Sequence, residues 1–430
     1  MAQNIEPTSK GWMRPFLFIW TAQTISILGS SVAQFALIWW LTQSTGSATV
    51  LSTATLVAFI PEVFLGPFAG ALVDRWNRKL VLILSDLIVA AFAVLLILSF
   101  AFGFQAVWQV YVILFLRALS GVFQFTAMQS STSLMVPDEH LARVAGINSS
   151  LRGALNIVAP MLGAFLMSIA PLPVILISDP LSAVLAVLPL LFIKIPQPRR
   201  QENGSVAVNN VFADVREGLR YVLRWPAMIW VMAMAMVINF VSMPAVALNP
   251  ILVTKFFQGD AVQLGLMQSG YGLGVVAGGL LLGAWGGFKR KILTVLWGLV
   301  GMGLGYGLIS AAPANIFWLA VAGMFLAGIM NPIVNGPIFA IIQTKVAPEM
   351  QGRVFTLLFS GASAMVPLSM LVSGPLADGF GVRLWFLIGA VGFILIGLSG
   401  FVVPVAMRIE EDAPPVEKLP VSTLRTFAEE

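Results

Sequence analysis

The sequence predicts an all-α membrane protein with twelve transmembrane helices in two pseudo-symmetric six-helix bundles. Three observations carry the prediction. Of 430 residues, 58% are hydrophobic and 10% charged, whereas a soluble domain carries about 25% charged residues. Apolar runs of about 20 residues, the length a helix needs to cross hydrocarbon, recur along the whole chain. Lys and Arg concentrate on alternate connections between those runs.

The runs fall at 15–41, 48–72, 80–102, 106–133, 147–170, 173–194, 226–253, 262–286, 291–312, 315–341, 354–377 and 384–407. Backbone polar groups cannot stay unpaired in lipid, so these runs are read as helices. They are too long and continuous for barrel strands. The first is far longer than the apolar core of a secretory signal, which makes it an expected retained span. Three outer connections are very short: Thr42 to Ser47, Gly103 to Gln105, and Pro171 with Leu172. The longest connection, from Ile195 to about Trp225, is polar and proline-containing. It ends in an amphipathic stretch with Val211, Val215, Leu219 and Val222 on one face. The expected organisation is therefore an N-terminal bundle at 1–195, a cytoplasmic linker with a surface helix at 196–225, and a C-terminal bundle at 226–407. The acidic tail at 408–430 is expected to be disordered.

With the N-terminus placed in the cytoplasm, every Lys and Arg faces inward except three. Lys255 and Arg383 lie outside, and Arg117 lies within a span. The positive-inside rule thus predicts cytoplasmic termini in a bacterial inner membrane and an even number of spans. The net charge of +5 reports topology, and no nucleic-acid partner is expected. There is no cysteine, which excludes disulfides, thiolate chemistry and cysteine-bound zinc. The single histidine, His140, is read as a solvated loop residue. No cofactor or metal is expected. No G-x-x-x-x-G-K-[ST] occurs, and Gly272-Leu273-Gly274 lacks the strand that a dinucleotide loop requires. The glycine runs from Gly270 to Gly287 and from Gly298 to Gly307 are read as close helix packing.

The sharpest motif lies between the second and third spans: Gly70-Ala71-Leu72-Val73-Asp74-Arg75-Trp76-Asn77-Arg78-Lys79. It resembles the G-x-x-x-D-R-x-x-R-[KR] loop of the major facilitator superfamily, in the loop where that family carries it. The physical chemistry of these residues fits a packing and charge role. Gly70 permits close helix approach, Asp74 suits a positive helix end, and the basic residues suit acidic partners. The resemblance implies a conformational latch formed by Gly70, Asp74, Arg75, Arg78 and Lys79 with the start of the eleventh span near Arg353. The equivalent loop of the second half, Gly286-Gly287-Phe288-Lys289-Arg290-Lys291, has no acid, so the latch is expected to be asymmetric. Pro137-Asp138 leading to Arg143, and Pro348-Glu349 leading to Arg353, open corresponding spans of the two halves.

Charges inside spans are costly and usually functional. Glu62, flanked by Pro61, and Arg117 are candidates for proton coupling, as is Asp179 beside Pro180. An Arg117 near Glu62 would tune that carboxyl. Asp86 is expected to pair with the basic loop, and Asp378 with Arg383 at a helix end. Arg117-Ala118-Leu119-Ser120-Gly121 resembles the fourth-helix motif of proton-coupled superfamily members, and Ala159-Pro160 partly matches the fifth-helix motif of its exporters. Gln23, Gln34, Gln124, Asn156, Asn239, Asn331 and Asn335 are candidates to line a cavity. The 30 Phe and 19 Met suit bulky apolar ligands, and Trp20, Trp39, Trp40, Trp108 and Trp225 suit an interfacial belt.

Gly66-Pro67-Phe68-Ala69-Gly70, Leu141-Ala142-Arg143 and Gly374-Pro375-Leu376-Ala377-Asp378 look most like the macrolide-efflux branch of the superfamily. The superfamily resemblance covers residues 14–407 and implies a secondary active transporter, which is expected to act as a monomer. It would export a bulky lipophilic small molecule by proton antiport with alternating access. A siderophore or lipid exporter on the same fold is the alternative, although it would want more basic residues than Arg117. A membrane-embedded enzyme is remote, because the chain offers no metal or nucleophile cluster.

Overall fold

The computed structural model describes residues 12–193, 195 and 208–410, with the side chains of a few of these, including Asp74 and Arg75, not described. Every regular element among them is helical. In chain order these are α1 (Met13–Thr45), α2 (Ala48–Arg75), α3 (Arg78–Ala101), α4 (Val107–Met135), α5 (Asp138–Ile169), α6 (Leu172–Leu176), α7 (Ser178–Phe192) and α8 (Val208–Leu223). The second half continues with α9 (Pro226–Ala247), α10 (Asn249–Ile251), a π-helical turn (Leu252–Phe256), α11 (Ala261–Trp285), α12 (Lys291–Ala311), α13 (Phe317–Lys345), α14 (Pro348–Phe380), α15 (Arg383–Val402) and α16 (Pro404–Met407).

Twelve of the helical segments are long and apolar enough to span a bilayer, with α6 and α7 together forming the sixth. The chain is a multi-pass membrane protein. Its tight hairpins follow from local chemistry. Gly46 closes α1 in a left-handed conformation at φ 59°, and one residue later Ser47 caps α2 by accepting from the Val50 amide. Asn77 caps α3 through the Lys79 and Leu80 amides.

The first six spans, α5 apart, pack chiefly on one another, with α2 on α4, α1 on α7 and α3 on both α4 and α7. The last six do the same, through α11 on α13, α12 on α13 and α15, and α9 on α14. The glycine runs act as expected in the second group. A Cβ at Gly274 or Gly278 would strike the backbone of α13 at Phe325 or Ile329, so these helices meet backbone to backbone.

Two seams join the groups, α5 to α11 and α2 to α14, and both are tight toward the end of the bundle opposite the termini. There Gly374 lies against the Thr49 backbone, and Gly265 against Ala164 and the Pro160 carbonyl. Toward the terminal end the same four helices part. At Gly70 on α2, Gly146 on α5, Gly283 on α11 and Gly352 on α14, an added Cβ would meet nothing within 4 Å among the described residues. Among the described residues, the close approach expected at Gly70 is not made in this conformation.

The predicted linker at 196–207 and tail at 411–430 lie outside the described residues. The surface helix is present as α8, with Val222 buried and Leu219 exposed. It packs on the start of α14, where Glu217 pairs with Arg353 at 3.1 Å. Trp39 and Trp225 are buried in the core rather than placed in a belt, while Trp108 is exposed. His140 is in the first turn of α5, stacked on Trp12 with ring centroids 5.4 Å apart, not in a solvated loop.

Candidate transport site

Each half lines a partly open cavity of about 330 Å³, and the two differ in chemistry. The first-half cavity is lined by α1, α2, α3, α4 and α7, and it holds Asp86, Arg117 and Asp179 with Gln34, Gln124 and three serines of α1. A polar stripe on α1 (Gln23, Ser26, Ser30, Gln34) recurs at helical spacing and turns one face of that span toward these charges.

Arg117 lies against Asp179, Nη1 to Oδ2 at 2.6 Å, and its Nη2 donates to the Ser30 carbonyl. Ser30 donates to the other oxygen of Asp179 at 2.6 Å. Both charged side chains are nearly inaccessible, at 9% and 2% exposed. Arg117 thus faces Asp179 and not Glu62. Glu62 is exposed and makes no hydrogen bond or ion pair with any described residue. It sits on α2 one turn from Ala58 and Phe59, which line the cavity.

Asp86 is the residue that sequence reasoning undervalues. It is buried, and the basic loop expected to pair with it is not among its partners. Gln23 donates to it at 3.1 Å, Ser26 at 3.2 Å and Gln124 at 2.9 Å. Gln124 also donates to Gln23 at 2.8 Å, tying the three spans together. All three donors are neutral.

Among the described residues, the second-half cavity is lined by no ionisable acid or base other than tyrosine. Asn239, Asn331 and Asn335 line it with Tyr271 and Ser363, among Met234, Met243, Met302, Phe339, Phe359 and Phe393. Asn239 and Asn335 turn their amides back onto the carbonyls of Ala235 and Asn331. Of the seven cavity candidates, Gln23 reaches the first cavity through its bonds to Asp86 and Gln124, and Asn156 alone is brought to neither. Asn156 is exposed on α5, where Gly272 approaches its backbone.

The far end is closed by Asp378, at the last turn of α14. Its carboxylate accepts from the Ala48 and Thr49 amides at 2.8 and 3.0 Å, and from the Ser47 and Thr49 hydroxyls at 2.9 and 2.7 Å. It therefore caps the N-terminus of α2 across the two halves, where the helix dipole favours an anion. The expected pairing with Arg383 is not made. Arg383 donates to the Ser310 carbonyl at 2.9 Å and stacks over Phe256.

Residues 19–248 and 238–428 match the family model described as Major Facilitator Superfamily. The chain belongs to the major facilitator superfamily. It is 33% identical over 387 residues to Macrolide efflux protein A of Streptococcus pyogenes, covering 90% of this chain and 95% of that protein. To the Multidrug efflux pump Tap of Mycobacterium tuberculosis (strain CDC 1551 / Oshkosh) it is 26% identical, covering 93% and 96%. Among solved structures it shares its fold with a bacterial homologue of the iron transporter ferroportin in an inward-facing state. That match has a TM-score of 0.69 at 15% identity, with 94% of this chain and all of that one covered.

As a superfamily member the chain is a transporter, not an enzyme, and its motif loop can be taken residue by residue. Arg78 is buried and donates to the Ser130 carbonyl at 2.7 Å, and Lys79 donates to the Leu191 carbonyl at 3.1 Å. Leu191 lies in the last turn of α7, so Lys79 binds the negative end of that helix dipole, while Arg78 ties α3 to the penultimate turn of α4. The side chains of Asp74 and Arg75 lie outside the described residues. Arg353, the expected partner of this loop, engages Glu217 of α8 in this conformation.

Proposed function

We propose that this chain exports a bulky lipophilic small molecule, of macrolide or multidrug type, across a bacterial cytoplasmic membrane. Proton antiport drives it by alternating access, with both termini in the cytoplasm, and it works as a monomer whose partners are substrate, protons and the bilayer. One observation carries the reading: two halves that touch at the far end and part at the terminal end, around a charged and an apolar cavity. Its relatives named for macrolide and multidrug efflux support the substrate class.

The aromatic and methionine lining of the second-half cavity suits varied apolar shapes, because such side chains repack. The buried charges of the first half suit ion coupling. Under the positive-inside orientation the parted end faces the cytoplasm, where an export substrate loads. Asp74 of the motif loop would then meet Arg353 and the α14 N-terminus in the alternate, outward-open state, after Arg353 leaves Glu217.

The test is expression in a macrolide-susceptible bacterial host lacking its own pumps. Lower steady-state accumulation of radiolabelled erythromycin, restored by a protonophore, is expected. Unchanged accumulation of erythromycin and of lipophilic dyes would reject the efflux reading.

A further inference from the structure

The first-half cavity holds three formal charges, and they do not cancel. Arg117 is matched by Asp179 at 2.6 Å. Asp86, 5% exposed, meets only neutral donors. Among the described residues, the remaining elements packed around it bring no second cation. α1 contributes Gln23 and Ser26, α4 contributes Gln124 and the already paired Arg117, and α7 contributes the paired Asp179. Glu62 on α2 is another acid, exposed and unbonded. A carboxylate this inaccessible, with neutral donors and no cation beside it, is unfavourable as the anion, whereas a protonated or cation-paired one is not.

We infer that Asp86 is the exchange site, binding in turn one proton and the protonated amine of a monocationic lipophilic substrate. This rests on the efflux reading and names its coupling residue and its substrate class. The exchange is a proton transfer without other bond changes. The neutral Asp86 carboxyl plus an ammonium ion gives the carboxylate–ammonium pair plus one released proton.

A charge count follows. With its proton, the Asp86–Arg117–Asp179 set is neutral, and with the ammonium bound it is neutral again. Both forms that cross carry the same charge, so one proton exchanges for one amine and the cycle moves no net charge. A neutral substrate would leave Asp86 bare in the loaded form and make the cycle sensitive to voltage. The second-half cavity, without fixed charge, is then where the apolar body of the amine rests.

Purified protein in proteoliposomes tests this with erythromycin, which bears one tertiary amine, and its uncharged N-oxide. Erythromycin flux is expected to follow an imposed pH gradient and to ignore a valinomycin-set potassium potential, while any N-oxide flux responds to that potential. Asp86→Asn is expected to lower pH-driven flux about tenfold or more, and Glu62→Gln to leave it unchanged. Potential-driven erythromycin flux at equal pH, or coupled proton release surviving in Asp86→Asn, would overturn the inference.

Infrared difference spectra on pH titration give an answer that needs no transport. A protonated-carboxyl C=O band present in the wild type and in Glu62→Gln, lost in Asp86→Asn and displaced by erythromycin is expected. The same band persisting in Asp86→Asn would overturn the inference. If the wild type moves no macrolide while the band behaves as expected, the efflux substrate is wrong and Asp86 stands as the proton site.

Discussion

The two halves line partly open cavities of similar volume and opposite character. The first half commits its polar residues to a closed network: Arg117, Asp179 and Ser30 form one knot, and Asp86, Gln23, Ser26 and Gln124 another. The second half turns amides back on their own helices and leaves Met and Phe to face the space. An internal repeat supplies two copies of one scaffold. Once copied, a buried ion pair needs to be kept in only one of them, since each additional buried charge is costly. Coupling and recognition are therefore free to separate.

The contrast is most directly broken at Arg117. Arg117→Ala strands Asp179 at 2% exposure, an expected loss of about 3–5 kcal/mol. Thermal unfolding in detergent should show it, with transport abolished. Arg117→Gln combined with Asp179→Asn should recover most of the stability and, because Asp86 is left intact, the proton coupling with it. Equal melting of Arg117→Ala and wild type would mean that the pair holds nothing.

At the seam, Asp378→Ala removes the cross-half cap and should move the balance of states away from far-end closure by about 1–2 kcal/mol. The cysteine-free chain makes this measurable. Spin-label distances from Ser44→Cys with Gly379→Cys should lengthen, and those from Gly146→Cys with Gly283→Cys should shorten.

In the second half, Asn331→Leu should change the preference between two substrates by roughly tenfold while protons released per substrate stay the same. A changed ratio of protons to substrate would join the two cavities into one site. The smallest effect is expected at α8. Glu217→Gln breaks a partly exposed pair with Arg353 worth about 0.2–1 kcal/mol, visible as a slight shift in the same inner-end distance.

Much of this is legible in the sequence, because lipid enforces a simple grammar. Span lengths, the basic loops and the motif from Gly70 to Lys79 are set by hydrocarbon thickness and short-range chemistry. The site is less legible. Glu62 stands out beside Pro61, yet its side chain finds no partner among the described residues. Nearness in sequence assigns Asp86 to the basic loop, although it points toward α1 and α4. The α1 stripe from Gln23 to Gln34 is the available signal, since a one-faced polar row within a span implies a polar partner opposite. Asp378 offers no such signal. Its partners lie some 330 residues away, and two of them are backbone amides that any sequence possesses.

That last fact gives the cap an unusual genetic footprint. Two of its four bonds come from main-chain N–H groups at 48 and 49, which no substitution there deletes except proline. In a saturating library selected for drug resistance, positions 47 and 49 should tolerate many residues and reject proline at 49. Position 378 should tolerate almost none, so that a joint between two helices would register as a single intolerant site.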